Sequence, residues 1–348
     1  MYAEKTDYDD IEMTNRLRNI LRRNGFESLE GLREYPKEHF IKFRNMGPRT
    51  LQELYTICEG QGIKLRSIEE LNDREHGVRF DNFLCMDAFR MGIKNKGDPK
   101  VMFIENALKS YVIEALLADS KSENFDVIYN KSLTAYRNYT PGSRAYKTEY
   151  TKRMNLKGKI NAALVRDYNK RSVVAHFFNN DITIPVWAIF ETLALGEFGT
   201  LYDCACTNVK LYVSNIMKLP TNLDSDGMNT KFFIFTVKDL RNAIAHNNVI
   251  FDTRFKTGKI DQRLVTLLET EVGISNIDFK YMDAYIIMIT YFIRKMGETK
   301  TACKQFVASY QQQTEYLRNE LPINIYNQVV GTQHRPNMNA LQKFISKS

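Results

Sequence analysis

Cysteine is scarce and scattered in this chain of 348 residues, which limits both disulfide and metal chemistry. A zinc site needs paired ligands at short spacing and a second pair nearby. Only Cys204 and Cys206 lie close together, with C-x-C spacing and no second pair in their vicinity. We therefore expect free thiols in a reducing compartment, with no metal and no cofactor; the cysteines are Cys58, Cys85, Cys204, Cys206 and Cys303.

Long apolar runs are missing as well. The longest extends from Tyr285 to Ile293 with Thr290 inside it, far short of the ~20 residues that span a bilayer. The first residues, Met1 to Asp10, are acidic and polar and lack the basic start and apolar core of a signal peptide. The sequence therefore predicts a soluble, cytoplasmic protein without a membrane partner.

Long stretches of alternating polar and apolar residues, which are typical of half-buried strands, are also absent. Apolar residues recur instead at helical spacing, for example over 103–115, 186–193, 233–246 and 281–296. The pattern predicts an all-α fold. We expect a flexible tail over 1–11, a small helical unit over 12–66, a linker over 67–78, a large helical domain over 79–330 and a second flexible tail over 331–348.

Charge is unevenly distributed along the chain. The 49 Lys and Arg exceed the 41 Asp and Glu by only eight, which permits a polyanionic partner without requiring one. Between Thr14 and Thr50, however, there are nine basic and four acidic residues, which gives this small unit a net charge of +5. Gly47 and Pro48 indicate a turn there, and we expect Thr50 to open the next helix. A helix N-terminus offers free N–H groups to a phosphate, with Arg44 and Arg49 flanking it.

Three segments of this unit are similar to a known domain: residues 14–23 (TNRLRNILRR), 26–32 (FESLEGL) and 43–51 (FRNMGPRTL). Together they resemble the C-terminal, helix-hairpin-helix domain of the bacterial RNA polymerase α subunit over about 50 residues. Pro48 stands where that family has a basic residue. The resemblance implies a nucleic-acid backbone contact through Arg16, Asn19, Gly47, Arg49 and Thr50. The same fold also serves protein contact, so DNA, RNA and protein all remain open as partners of this unit.

The second candidate site is the strip from Arg241 to His246. On a helix, Asn242 and His246 share a face, while Arg241 lies about 140° from His246 and reaches round with its long side chain. RNA carries its own nucleophile, the 2′-OH, so a catalyst needs a base, an acid and a cation for the phosphate. Histidine serves as base or acid, and arginine binds phosphate oxygens.

One histidine cannot easily be both acid and base on opposite sides of one phosphorus. Two strips, one from each copy across a two-fold axis, would solve this problem, so we expect a homodimer. No metal is required for this chemistry. The other histidines, at 39, 76, 176 and 334, have no comparable neighbours.

The pattern Arg241-Asn242-x-x-x-His246 resembles the motif of HEPN ribonucleases. Residues 184–202 (IPVWAIFETLALGEFGTLY) and 103–110 (FIENALKS) are similar to segments of the abortive-infection (Abi) branch of that superfamily, the AbiD/AbiF-like proteins. Where the family usually has a second His and then an Arg-x-Trp, this chain has Asn247 and Phe251. The resemblance implies a HEPN-type helical bundle, homodimerisation, and antiviral or toxin-like RNA cleavage. We expect support for the site from Glu191, Tyr202 and Asn247.

Two functions therefore follow as hypotheses. The first is a metal-independent endoribonuclease, an abortive-infection or toxin effector in which Arg241, Asn242 and His246 act on RNA and an RNA or protein antitoxin restrains the enzyme. The second is a non-catalytic HEPN scaffold that binds RNA or a partner, with the N-terminal unit as its nucleic-acid-binding part. Substitution of His246 by Ala separates the two hypotheses.

Overall fold

A computed structural model describes residues 11–26, 28–35, 37–40, 43, 46–65, 80–245 and 258–348, with the backbone alone for 34, 37–38, 48 and 80–98. The chain divides into two units, residues 1–87 and 88–348. Within the described ranges all regular structure is helical, apart from an isolated bridge between Asn124 and Pro185. The predicted all-α fold class is therefore confirmed.

The first unit contains helix α1, a 3-10 turn, and helices α2 and α3. Thr14 caps α1 by accepting a hydrogen bond from the amide of Leu17 at 3.2 Å, as its residue type predicts. Both the amide and the hydroxyl of Thr14 also donate to the Glu53 carboxylate, which ties the start of α1 to α3. The elements are α1 (Asn15–Arg23), η1 (Glu30–Glu34), α2 (Lys37–Phe40) and α3 (Pro48–Gly60).

Helix α3 begins two residues earlier than Thr50, where the sequence placed its start. Pro48 occupies the first turn, where its fixed φ is already helical and its missing N–H costs nothing. Gly47 is the N-cap with φ of −83°, an extended conformation open to any residue. The core of this unit is formed by Leu17, Leu21, Phe26, Leu29, Leu32, Phe40, Leu54, Cys58, Ile63 and Leu65.

The long helix α4 begins at Phe80 and continues into the second unit. The helices of the second unit form a bundle in which α9 packs against α6 and α11. These elements are α4 (Phe80–Ser120), α5 (Phe125–Lys131), η2 (Ala135–Asn138), α6 (Arg144–Tyr168), α7 (Ser172–Asn179), α8 (Val186–Thr192), α9 (Leu195–Cys204), α10 (Thr207–Ile216), α11 (Met228–Ala245), α12 (Gln262–Val272), α13 (Met282–Lys295), α14 (Lys300–Glu320), α15 (Ile323–Val330) and α16 (His334–Lys347).

Helix α9 approaches α11 closely because Gly199 has no side chain. A Cβ at this position would lie 3.0 Å from Ile234 Cγ2 and 3.1 Å from Phe235 Cζ. Helix α11 carries Arg241 at its far end, so this contact fixes the helix that presents the candidate strip.

Helix α13 is the centre of the C-terminal half. It is buried on every side from Met282 to Ile293, as expected for a helix that is apolar all round. Helices α12, α14 and α16 pack against it. At 14 residues it is too short to cross a membrane, and no helix among the described residues is long and apolar enough to do so.

The expected flexible tail over 331–348 is wrong. Residues 334–347 form α16, which buries Met338, Leu341 and Ile345 at 0% exposure. Its first residue, His334, is also buried and its Nδ1 lies 2.8 Å from a carboxylate oxygen of Asp283 in α13. The segment is polar on average, but its few apolar residues share one helix face that α13 and α14 cover. The predicted linker at 67–78 lies outside the described residues.

Candidate active site

The candidate strip lies at the C-terminal end of α11. Two aspartates cap the start of this helix: Asp226 accepts from the amide of Met228 at 3.1 Å and Asp224 from that of Asn229 at 2.9 Å. Its apolar face then buries Phe233, Ile234, Val237, Leu240 and Ile244. Arg241 and Asn242 follow on the exposed side. The helical periodicity of the sequence thus directs both side chains outward.

Arg241 lines a cleft of about 510 Å³ between α4 and the end of α11. The residues from α4 are spaced so that they share one face of that helix, and those from α11 do likewise. Two helix faces therefore form opposite walls, one with the guanidinium and the other with polar side chains. The lining residues are Val101, Met102, Glu105, Asn106, Arg241, Ile244 and Ala245.

The guanidinium of Arg241 makes no hydrogen bond or ion pair to any side chain that the structure describes. Its neighbour Asp239, by contrast, pairs with Lys238 at 2.8 Å. An arginine whose donors are unused inside a cleft can bind a phosphate with two parallel N–H groups. The cleft therefore has a cationic wall that is open to an anion.

The opposite wall contains a carboxylate and an amide that the sequence did not single out as site residues. Glu105 forms an ion pair of 2.9 Å with Lys109, one turn further along α4. Lys109 in turn lies 3.4 Å from the carbonyl of Leu193, at the end of α8. Glu105 is therefore held at a packed junction, while the neighbouring Asn106 is exposed. The available signal was the helical spacing of residues 101, 102, 105 and 106, of which Glu105 and Asn106 lie within the segment that carried the resemblance.

Not every expected site residue can be compared with the structure. His246 and Asn247 lie outside the described residues. Glu191 is exposed on α8, and it does not line the cleft among the described residues. The single tryptophan, Trp187, is 42% exposed and meets Phe177 edge to face at 5.7 Å.

Tyr202, expected to support the site, lies fully buried in the core. Its hydroxyl donates to the carbonyl of Gly227 at 2.8 Å, which joins α9 to the turn before α11. Burial raises the pKa of Tyr202 well above its ordinary value, so the phenol stays neutral. Its hydrogen bond fixes the start of α11, at the opposite end of the helix from Arg241.

The N-terminal unit brings together some of the residues expected to contact nucleic acid. Arg16 Nη2 lies 3.9 Å from the position that a Cβ would take at Gly47, so α1 meets the start of α3 there. Asn19 and Arg49 are exposed. Thr50 is only 6% exposed, so its position in the core suits packing better than a phosphate contact. Arg44 lies outside the described residues.

A charged cluster beside α9 and α11 was also missed from the sequence. Asp203 receives the ammonium groups of Lys152 and Lys231, each at 2.7 Å, and Lys210 donates to its backbone carbonyl at 2.8 Å. Burial by itself raises the pKa of Asp203, but hydrogen bonds from the two lysines outweigh it and lower that pKa. Burial lowers the pKa of Lys210. The cluster joins side chains of α6, α9, α10 and α11 and so links these four helices.

The described cysteines are buried or half-buried free thiols. Burial raises the pKa of Cys204 to about 12 and that of Cys303 to about 11. These groups are therefore protonated at neutral pH, and a protonated thiol is a poor nucleophile and a poor metal ligand.

The fold and the cleft define an all-helical protein with an open arginine at a helix end. A family model described as Abi-like protein matches residues 60–252, which is more than half of the chain and includes both walls of the cleft. The chain belongs to the Abi-like family. This membership suggests an abortive-infection function. Neither the curated proteins nor the solved structures contain a match to the chain.

Proposed function

We propose that this protein is a metal-independent endoribonuclease that acts as an abortive-infection or toxin effector. The observation that carries the proposal is the exposed guanidinium of Arg241, which lines a cleft and has no described protein acceptor. A guanidinium in this setting is suited to a phosphate ester. Membership of the Abi-like family supports the role as an effector.

The proposed reaction uses the nucleophile that RNA already carries. The imidazole of His246 in one copy removes the proton of the 2′-OH, and the 2′-oxygen forms a bond to phosphorus. The bond from phosphorus to the 5′-oxygen breaks, and that oxygen takes a proton from the imidazolium in the second copy. Arg241 stabilises the charge on the phosphoryl oxygens, and Asn242 orients the reacting groups. The products are a 2′,3′-cyclic phosphate and a 5′-OH.

The two-copy arrangement agrees with the surface beside the cleft. Met102 is 60% exposed and Phe103 is 36% exposed, whereas Val101, Ile104 and Leu108 on the same helix are buried. An apolar edge next to the open arginine is suited to a second copy of the chain. In such a dimer the two strips would face one another and supply both the acid and the base.

The test is cleavage of a labelled RNA by the full chain in the presence of EDTA. We expect cleavage to persist, and the 5′ fragment to end in a 2′,3′-cyclic phosphate. Arg241→Ala and His246→Ala should each lower the rate by at least about 10²-fold, the usual share of an acid, base or charge-stabilising group. Matched controls are Arg144→Ala and His176→Ala, which remove exposed residues elsewhere.

The scaffold hypothesis makes the opposite prediction for the same variants. If neither the wild type nor His246→Ala cleaves RNA and both bind it equally well, the enzyme proposal fails and the non-catalytic function is favoured; if both cleave RNA at the same rate, His246 is not the catalytic residue. Loss of all cleavage by the wild type in EDTA would also contradict the metal-independent mechanism.

The N-terminal unit supports a second component of the function. Arg16 and Arg49 lie at or next to the start of α3, where the helix N-terminus adds a partial positive charge. We infer that this unit contacts a nucleic-acid backbone and delivers the cleft to its substrate.

A further inference from the structure

The cleft is larger than a phosphate site requires, and its walls combine cationic, apolar and polar side chains. Its volume of about 510 Å³ falls in the range of pockets that bind small organic ligands, about 300–1,000 Å³. The guanidinium of Arg241 lies on one wall. Val101, Met102 and Ile244 add apolar surface, and Glu105 with Asn106 forms a polar edge. Cation, apolar surface and polar edge are the three features needed for a phosphate, the face of a base and the edge of a base.

The polar edge is held in place by its surroundings. Glu105 has a partly buried side chain, 19% exposed, and its pairing with Lys109 is anchored in turn by the Leu193 carbonyl. A carboxylate held in this way does not swing freely into solvent. No other described residue is hydrogen-bonded to it, so it retains acceptor capacity toward the cleft.

Asn106 completes the edge. Its backbone carbonyl accepts a hydrogen bond from the Ser110 hydroxyl at 3.0 Å, while its exposed side-chain amide has no described partner. An asparagine amide offers two donors and an acceptor in one plane. Together, the two side chains present several acceptor positions and two donors to a ligand in the cleft.

We propose that Glu105 and Asn106 read the nucleobase next to the scissile phosphate and select bases with an exocyclic amino group over uracil. This inference rests on the proposed function, because it assigns the substrate class of the same cleft. Guanine, adenine and cytosine each present an N–H₂ donor on the edge used for pairing. Uracil presents two carbonyl oxygens and a single N–H there, so it offers the Glu105 carboxylate one donor where an amino group offers two.

The experiment uses chimeric oligonucleotides with one ribonucleotide in an otherwise 2′-deoxy strand. Cleavage can then occur only after that ribonucleotide, so its base is the one being read. We expect the wild type to cleave after G, A or C with a kcat/KM about tenfold above that for U, as one good base contact allows. Glu105→Gln and Asn106→Ala should each reduce that ratio to about threefold or less.

Two matched variants control for changes that do not involve the cleft. Glu123→Gln and Asn208→Ala replace exposed residues of the same types on other elements and should leave the ratio unchanged. A ratio between substrates is measured on one preparation, so partial unfolding does not alter it. Equal cleavage of all four substrates by the wild type would overturn the proposal, as would unchanged ratios in both cleft variants.

A second measurement keeps base selection separate from cleavage. Fluorescence anisotropy can measure the binding of short 2′-O-methyl oligonucleotides that each contain a single type of base. This measurement needs no catalysis. In one outcome the wild type cleaves none of the substrates, yet it binds the amino-bearing bases more tightly than uracil, and Glu105→Gln or Asn106→Ala removes that difference. Base reading then stands and the nuclease proposal fails. If cleavage occurs but neither assay distinguishes uracil, the nuclease proposal stands and base reading fails.

Discussion

The charge on Asp203 should contribute strongly to the stability of the second unit. Its side chain is only 10% exposed, and two lysines lie at ion-pair distance, one of them on α11, the helix that carries Arg241. Asp203→Asn keeps the size of the side chain but removes the carboxylate that pairs with Lys231 and lies beside the buried Lys210, while Lys152 keeps only its ion pair with Glu149. Breaking a buried pair costs about 3–5 kcal/mol, and because the lysines are partly exposed we expect about 3 kcal/mol.

The matched control is another Asp–Lys pair with nearly the same geometry and a different environment. Asp126 and Lys157 lie 2.8 Å apart, but their side chains are 65% and 40% exposed. Asp126→Asn should therefore cost less than about 1 kcal/mol. Urea unfolding can be followed by the fluorescence of Trp187, the only tryptophan in the chain, which reports on the second unit alone.

The pH dependence gives a second check on the same reasoning. Because the folded pKa of Asp203 is lowered, its contribution is fully present above the unfolded value of about 4 and is lost as the pH falls through the folded pKa. The difference between wild type and Asp203→Asn should therefore shrink below about pH 4. An equal loss of stability in Asp203→Asn and Asp126→Asn at pH 7 would refute the argument from burial.

Two further predictions address the C-terminal helix and the N-terminal unit. Leu341→Ala should lower the free energy of unfolding by about 3 kcal/mol, because the side chain is fully buried. The control is Val165→Ala, at a position that is 75% exposed, which should change the free energy of unfolding by less than about 0.5 kcal/mol. Equal effects of the two substitutions in urea unfolding would contradict the packing of α16. Arg16→Ala should weaken nucleic-acid binding and reduce the salt slope of log K by about 0.9 on duplex DNA, as expected for one lost phosphate contact. Arg23→Ala, on the last turn of α1, serves as the control, and an unchanged slope in Arg16→Ala would remove Arg16 from the proposed interface.

Helical periodicity predicted the main elements of the second unit well. The spacing over 186–193 and 281–296 corresponds to α8 and α13 within a residue or two, because burial of one face or of the whole helix leaves a clear apolar pattern. The cap at Thr14 is also a local feature, because threonine is a preferred N-cap residue and capping depends on residues a few positions apart.

The C-terminal segment was harder to predict for a physical reason. Its apolar residues are few, and an isolated helix of that length is marginal in water. Only the covering faces of α13 and α14 make α16 stable, and a local pattern does not reveal such partners.

The candidate site, like the fold, was predicted only in part from the sequence. The helical spacing over 233–246 predicted that the strip lies on a helix, and Arg241 and Asn242 are exposed at the end of α11. Glu105 lies 136 positions earlier, and no local spacing places it opposite Arg241. Tyr202 was expected from the sequence to support the site, yet it is buried and its hydroxyl donates a hydrogen bond to the carbonyl of Gly227.

The amino-acid sequence by itself determined the helical class, most of the helices and the residues of the candidate strip, because these depend on neighbours within one or two turns. The tertiary structure alone decided which distant side chains share the cleft, which acids are buried beside lysines and whether the last helix is ordered. Those outcomes depend on how helices far apart in the chain pack together, and packing is a property of the whole bundle.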